Sequence, residues 1–320
     1  MDNTLRRTHR HTTSCFRLAS GLAVLLAFPM SAAIAQGPAQ QRFQSPKAAF
    51  KALVDALKAD DHARLQAILG PESGDVVSSG DEVADRNAAR RFVAVAKEKA
   101  RLVKAGDGAM IVHIGKDDWT LPIPIVKDDT GWRFDTAAGK EELLNRRIGR
   151  NELHTIAVCY AYVDAQREYA RQDRTGEGVR AYAQKFRSAP GKRDGLYWEA
   201  SAQGEQSPMG PLVAVATSEG YTPAEAHAEP MPYHGYYFRI LTAQGSHAPG
   251  GASSYIVDGH MTRGFALVAY PAHYGSSGIM TFIVNQVGVV FQKNLGEKTA
   301  EIAAAMKEYD PDDSWEPVGQ

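Results

Sequence analysis

Between Tyr233 and Phe291 the chain alternates runs of aromatic and β-branched residues with clusters of Gly, Pro, Ser and Asn. Tyr236-Tyr237-Phe238-Arg239-Ile240 lies near the start and Met280-Thr281-Phe282-Ile283-Val284 near the end. Such runs fit a pleated, half-buried surface, and the clusters between them supply turns, so the stretch is constrained to an antiparallel meander. The spacing predicts strands over 236–241, 254–257, 265–270, 280–284 and 289–293. A closing helix over 298–309 is expected to bury Ile302 and Met306 and to stop at Asp310-Pro311.

The preceding half reads as helices followed by strands. Ser45-Pro46 is a helix start, because Ser caps the free amides and Pro at the first position loses no hydrogen bond. Phe50, Leu53, Val54 and Leu57 then share one face. Asp60-Asp61 caps a second helix carrying Leu65, Ile68 and Leu69, and a third is predicted over 81–102. After Gly106-Asp107-Gly108 the period falls to two. Met110, Val112 and Ile114 define one strand, and Trp119, Leu121, Ile123 and Ile125 the next. Pro122 and Pro124 put that second strand at a sheet edge or on a bulge. A long helix from about residue 140 to 169 joins the halves, with Leu153, Ile156, Tyr160 and Val163 as its apolar stripe and a solvated charged surface that includes Arg146, Arg147 and Arg150. The class is α+β: helices on a curved antiparallel sheet over 45–139, then a long helix on an antiparallel meander over 140–320.

The first 35 residues have a separate logic. Arg6, Arg7, Arg10 and Arg17 precede an apolar run from Leu18 to Phe28, and Ala33-Ile34-Ala35 follows. This is the pattern of a secretory signal peptide cleaved after Ala35, and its core is short for a membrane span. Residues 36–44, rich in Gln, Gly and Pro, are expected to be a disordered leader. Cleavage removes those four arginines and Asp2, taking 36 basic and 37 acidic residues to 32 and 36, a net charge of about −4. That balance argues against a nucleic-acid partner, and no later run is long enough to span a membrane. The expected location is the periplasm. Cys159 is then the lone cysteine, set among apolar neighbours, so the fold must hold without an internal disulfide.

Chemistry-bearing residues are sparse. HExxH, CxxC, GxSxG, SxxK and GxGxxG are all lacking after residue 35, and no two histidines stand at metal-ligand spacing, so the sequence implies no catalytic residue, metal or cofactor. Asp173-Arg174-Thr175-Gly176-Glu177-Gly178 is a polar turn with a weak likeness to a calcium loop. Three groups are candidate ligand contacts: His113, Asp117 and Trp119 as a pocket lining; Lys192 and Arg193 beside Asp194-Gly195 as an anion loop; and His234, between Tyr233 and Gly235.

Three resemblances add to this reading. Ser45-Pro46, Asp60-Asp61-His62-Ala63-Arg64-Leu65 and Trp119-x-Leu121-Pro122-Ile123-Pro124, with the hairpin to Gly131-Trp132-Arg133-Phe134, look like the nuclear-transport-factor-2-like cone fold, which implies a bent sheet enclosing a pocket. The helix from Arg150, with Gly235-Tyr236-Tyr237-Phe238, Ala269-Tyr270-Pro271 and Thr281-Phe282-x-Val284, is similar to the soluble head of type IV pilin-like proteins, although that family's processed apolar N-terminal helix is absent. Nearly the whole remaining length resembles a bacterial family of exported proteins termed domain of unknown function 2950. That likeness rests on Ile148-Gly149-Arg150-Asn151-Glu152, Tyr162 to Tyr169, Pro190 to Trp198 and Tyr233 to Phe238. The expected role is non-catalytic: a periplasmic binding or assembly module whose partner is another envelope protein. The alternative is a small-ligand receptor or enzyme using the cone pocket.

Overall fold

Ser45 caps the first helix through its Oγ, which accepts from the Ala48 amide at 3.1 Å, and Asp61 caps the second by accepting from the Arg64 amide at 2.9 Å. The computed structural model describes residues 39–200, 204–222 and 231–319; the expected signal peptide, residues 1–35, lies outside them. Helices α1 (Pro46–Ala59), α2 (His62–Leu69), α3 (Gly74–Val77) and α4 (Glu82–Glu98) precede strands β1 (Ala100–Lys104), β2 (Ala109–Ile114), β3 (Trp119–Thr120), β4 (Ile125–Asp128) and β5 (Gly131–Phe134). These strands form an antiparallel sheet in the order β1-β2-β4-β5, with β3 on β2. Helix α5 (Thr136–Tyr169) follows, then α6 (Gly210–Ser218), β6 (Tyr236–Leu241), β7 (Ala243–Gln244), β8 (Ser253–Ser254), β9 (Ile256–Val257), β10 (His260–Met261), β11 (Ala266–Pro271), β12 (Met280–Asn285), β13 (Val290–Asn294), α7 (Thr299–Ala305), β14 (Glu308–Tyr309) and β15 (Glu316–Pro317). The second large sheet runs β15-β13-β12-β11-β6, antiparallel throughout. The molecule is therefore α+β.

Two apolar cores result. Leu53, Ile68, Val112, Ile123, Ile125 and Phe134 fill the first; Cys159, Tyr162, Tyr236, Phe265, Val268 and Phe282 fill the second. Burial pushes the Cys159 thiol up to about 12, so it stays protonated and inert. Helix α5 serves both cores. Its Gly139 makes the closest approach: a Cβ there would stand 2.4 Å from the Pro122 carbonyl oxygen.

Several expectations are corrected. Residues 39–44 are ordered, because Gln40 donates to the Ile68 and Phe134 carbonyls and Phe43 is buried in a bridge to Trp132. The third helix stops at Glu98, where extended Lys99 hands the chain to β1, and Leu102 belongs to that strand. Pro122 and Pro124 split the expected second strand into β3 and β4, both still paired to β2. The 254–257 strand is not in the main sheet, where β6 pairs directly with β11. The closing helix ends at Ala305, its last carbonyls taken by Arg239, and leaves Ile302 exposed while Glu308–Tyr309 pairs with β7.

The correction with most bearing on function is in α5. Leu153 is 71% and Tyr160 45% exposed, whereas Val158, Cys159, Tyr162, Val163 and Gln166 face the second sheet. Tyr162 fixes that rotation: it donates to the Ala266 carbonyl and accepts from Gln166, which also pairs with the Ala183 backbone through both ends of its amide. The helix thus carries two apolar stripes, and packing on the sheet buries only one.

Candidate functional site

The sequence candidates separate in space. His113 and Thr120 are cross-strand partners, with His113 Nδ1 3.3 Å from Thr120 Oγ1, while Trp119 pairs with Ile114. Because side chains alternate along a strand, Trp119 and His113 point to opposite faces of the sheet and do not share a pocket. Asp117 is exposed in the intervening turn. The next residue, Asp118, accepts from Arg101 and Lys99, and those hydrogen bonds lower its pKa to about 2.

Lys192 is exposed in a turn, and Arg193 is engaged elsewhere. Its guanidinium lies 5.6 Å from the Trp198 ring centroid and 2.8 Å from Glu205. Arg174 approaches the same indole at 5.4 Å and binds the other Glu205 oxygen, with its side chain 4% exposed. Two guanidiniums therefore share one carboxylate around one indole, and Arg193 is held inside this cluster rather than standing free in an anion loop. A cleft of about 350 Å³ beside it is lined by Tyr169, Arg174, Glu177, Lys185, Asp194 and His260. Its polar groups also pair internally, Lys185 with Asp194 at 2.7 Å and the His260 ring with Glu177 at 3.5 Å. A second cleft, about 380 Å³, lies between Glu72, Lys140, Leu144 and Ile279. Neither cleft includes any of the six sequence candidates.

Trp119 and His234 are instead linked by α5. Trp119, 37% exposed, packs edge-on against Phe92 and carries the Arg146 guanidinium 5.5 Å from its ring centroid. Two turns further along the helix, His154 stacks on His234 with ring centroids 3.8 Å apart. His234 sits at a positive φ of 49°, in the turn before β6, and its Nε2 is 2.8 Å from Glu219. Asp81 braces this turn: one oxygen caps α4 through the Ala84 amide, and the other accepts from Tyr221 Oη and the Gly235 amide, each at 2.9 Å. Nε2 of His154 and the Tyr233 hydroxyl are buried without a hydrogen-bond partner among the described residues. Burial first, then His234, holds the His154 pKa below its ordinary value, so the imidazole is neutral at pH 7.

Between these two ends stand residues the sequence did not single out. Arg150 lies one turn from both Arg146 and His154 and is exposed, as is Arg91 of α4. Neither makes a salt bridge or side-chain hydrogen bond among the described residues. Partial burial of its stem first, then the positive charges of Arg91 and Arg146, push the Arg150 pKa below the ordinary arginine range. Positions 146, 150, 153, 157 and 160 repeat every three or four residues, so Arg146, Arg150, Leu153, Ala157 and Tyr160 form one outward stripe, cationic at one end and apolar at the other. The spacing was readable in the sequence; that the stripe faces outward was not. Among the described residues no group of three or more His, Cys, Asp or Glu is arranged to hold a metal ion, and no helix is long and apolar enough to cross a membrane.

A family model described as Protein of unknown function (DUF2950) matches residues 40–318. The chain belongs to that family. The match spans α1 to β15, so the Trp198 cluster, the two histidines and the α5 stripe all lie within the family's own domain. No curated protein and no solved structure matches the chain.

Proposed function

We propose that this DUF2950 member is an exported protein of the bacterial envelope that works by binding another envelope protein, and that it docks through the outward stripe of α5. The single observation that supports this most is Leu153, 71% exposed in the middle of α5, with Tyr160 two turns on at 45%. Large apolar side chains aligned on one rigid face and bordered by arginines have the composition of an interface centre, where aromatic residues and Arg are enriched. Export is supported by the arginine-led apolar run and the Ala33-Ile34-Ala35 site.

The test is native mass spectrometry of the protein purified gently from the periplasm, with Leu153→Asp and Ile302→Asp variants purified in parallel. The expected result is a chain starting at Gln36 that carries a stoichiometric protein partner, lost in Leu153→Asp and retained in Ile302→Asp. A chain that keeps residues 1–35, or a partner indifferent to Leu153→Asp, would overturn the reading.

A further inference from the structure

We propose that Arg91, Arg146 and Arg150, set against the Trp119 indole, bind carboxylates of the partner segment that docks on α5. This inference rests on the docking reading and names the partner's chemistry: acidic at the end that meets Trp119, apolar at the end that meets Leu153 and Tyr160.

Positive charge outweighs negative charge at this end of the stripe. Arg146 and Arg150 stand one turn apart on α5, Arg91 of α4 precedes the Phe92 that packs on Trp119, and two nearby carboxylates are already engaged. Glu142 holds Arg146 at 2.7 Å, and Asp118 accepts from Arg101 and Lys99 on the neighbouring strand. Asp117 is exposed in the turn before β3. Arg146 is fixed from three sides, by Glu142, by the Thr120 carbonyl and by the indole face, so it is preorganised at little further entropic cost. Arg150 and Arg91 keep all their donors free among the described residues. A guanidinium presents a planar fork that matches a carboxylate with two parallel hydrogen bonds, a match a lysine ammonium does not offer.

Length supplies the second constraint. From Arg146 to Tyr160 is fourteen residues of helix, roughly 21 Å at 1.5 Å per residue. An extended segment of about six or seven residues covers that span. A partner with one or two carboxylates at one end and two apolar side chains at the other would satisfy the whole stripe.

The experiment is an NMR titration of the ¹⁵N-labelled mature protein with tetraglutamate at millimolar concentration and low salt, and with tetraglutamine and citrate as comparators. The readouts are the indole N–H signals of Trp119 and Trp198, each assigned by its Phe substitution. Tetraglutamate is expected to shift Trp119 and leave Trp198 unmoved, with affinity falling about tenfold in Arg91→Ala/Arg150→Ala. No shift at Trp119, an equal shift with tetraglutamine, or full affinity in the double variant would overturn the proposal. Citrate binding as tightly as tetraglutamate would assign the site to a small anion and equally overturn it. The two readings fail separately. A partner retained by the double arginine variant but lost from Leu153→Asp sinks the carboxylate site alone. A partner indifferent to Leu153→Asp sinks the docking reading, whatever the titration gives.

Discussion

The molecule contains two tryptophan–arginine clusters built from the same parts and finished differently. Around Trp198, 8% exposed, Arg174 and Arg193 share Glu205, and the indole N–H itself donates to the Glu205 carbonyl at 3.1 Å. Around Trp119, 37% exposed, Arg146 has its own carboxylate, but Arg150 and Arg91 have none among the described residues. The first cluster is closed by its own chain and holds a loop onto the end of α5. The second leaves two guanidiniums without a carboxylate among the described residues, and the docking proposal rests on that difference. Composition around a tryptophan therefore does not separate a structural lock from a binding site; the presence of a local counter-charge does.

The largest effect that would sharpen this contrast is at the closed cluster. Glu205→Ala leaves the Arg174 guanidinium, almost wholly buried, without its counter-charge, and should cost about 3 kcal/mol of stability in urea unfolding. A loss as small as that of a surface substitution would mean that the lock is not one. Next, Gly139→Ala should cost about 2 kcal/mol, because the new Cβ meets the Pro122 backbone rather than a movable side chain. It should also shift the Trp119 indole signal, since α5 is seated on the segment that follows β3; an unmoved signal would uncouple the helix from the open cluster.

A smaller effect concerns pH, where two histidines act with opposite signs. His154 is held below its ordinary value of 6.5, mainly by burial, so the unfolded chain takes its proton first and stability falls as pH drops below 6.5. His247 is raised by its hydrogen bond to Asp310, so its contribution is full below 6.5 and fades as pH rises through its folded value. Subtracting the unfolding curves of His154→Gln and His247→Gln from that of the parent should give differences of opposite slope; equal slopes would contradict the burial of His154. The smallest effect is Arg150→Ala, expected to change stability by less than about 0.5 kcal/mol, because its exposed guanidinium makes no ion pair or hydrogen bond among the described residues. A loss comparable to that of Glu205→Ala would erase the distinction between the clusters.

How much of this was legible depends on how local the physics is. Ser45 and Asp61 could be read as caps because a cap needs only its own first turn. Cys159 could be read as a buried hydrophobe from its apolar neighbours. Which stripe of α5 meets the sheet could not be read, because Leu153 and Tyr160 satisfy the same periodicity as Val163, and only Tyr162 bonding to Ala266 decides between them. Trp119 stood out as a large aromatic, yet the register of β3 on β2, with Thr120 opposite His113, puts Trp119 and His113 on opposite faces. Arg193 drew attention as a cation in a turn, but the Glu205 that pairs with it and with Arg174 lies beyond Trp198 in the chain. Arg91 and Arg150 come from separate helices, α4 and α5, so no local pattern relates them. His234 could be picked out, whereas its partners His154 and Glu219 are brought to it by the fold.

The claim that α5 is a docking face is tested most directly by placing a photoreactive benzophenone amino acid at position 153, and separately at 302, in the protein produced in its own cell envelope. Both positions carry exposed apolar side chains, but only the first lies on the arginine-bordered stripe. The account predicts one discrete crosslinked protein from position 153, diminished by Arg91→Ala/Arg150→Ala, and none from position 302. The same adducts from both positions, or none from 153, would contradict it.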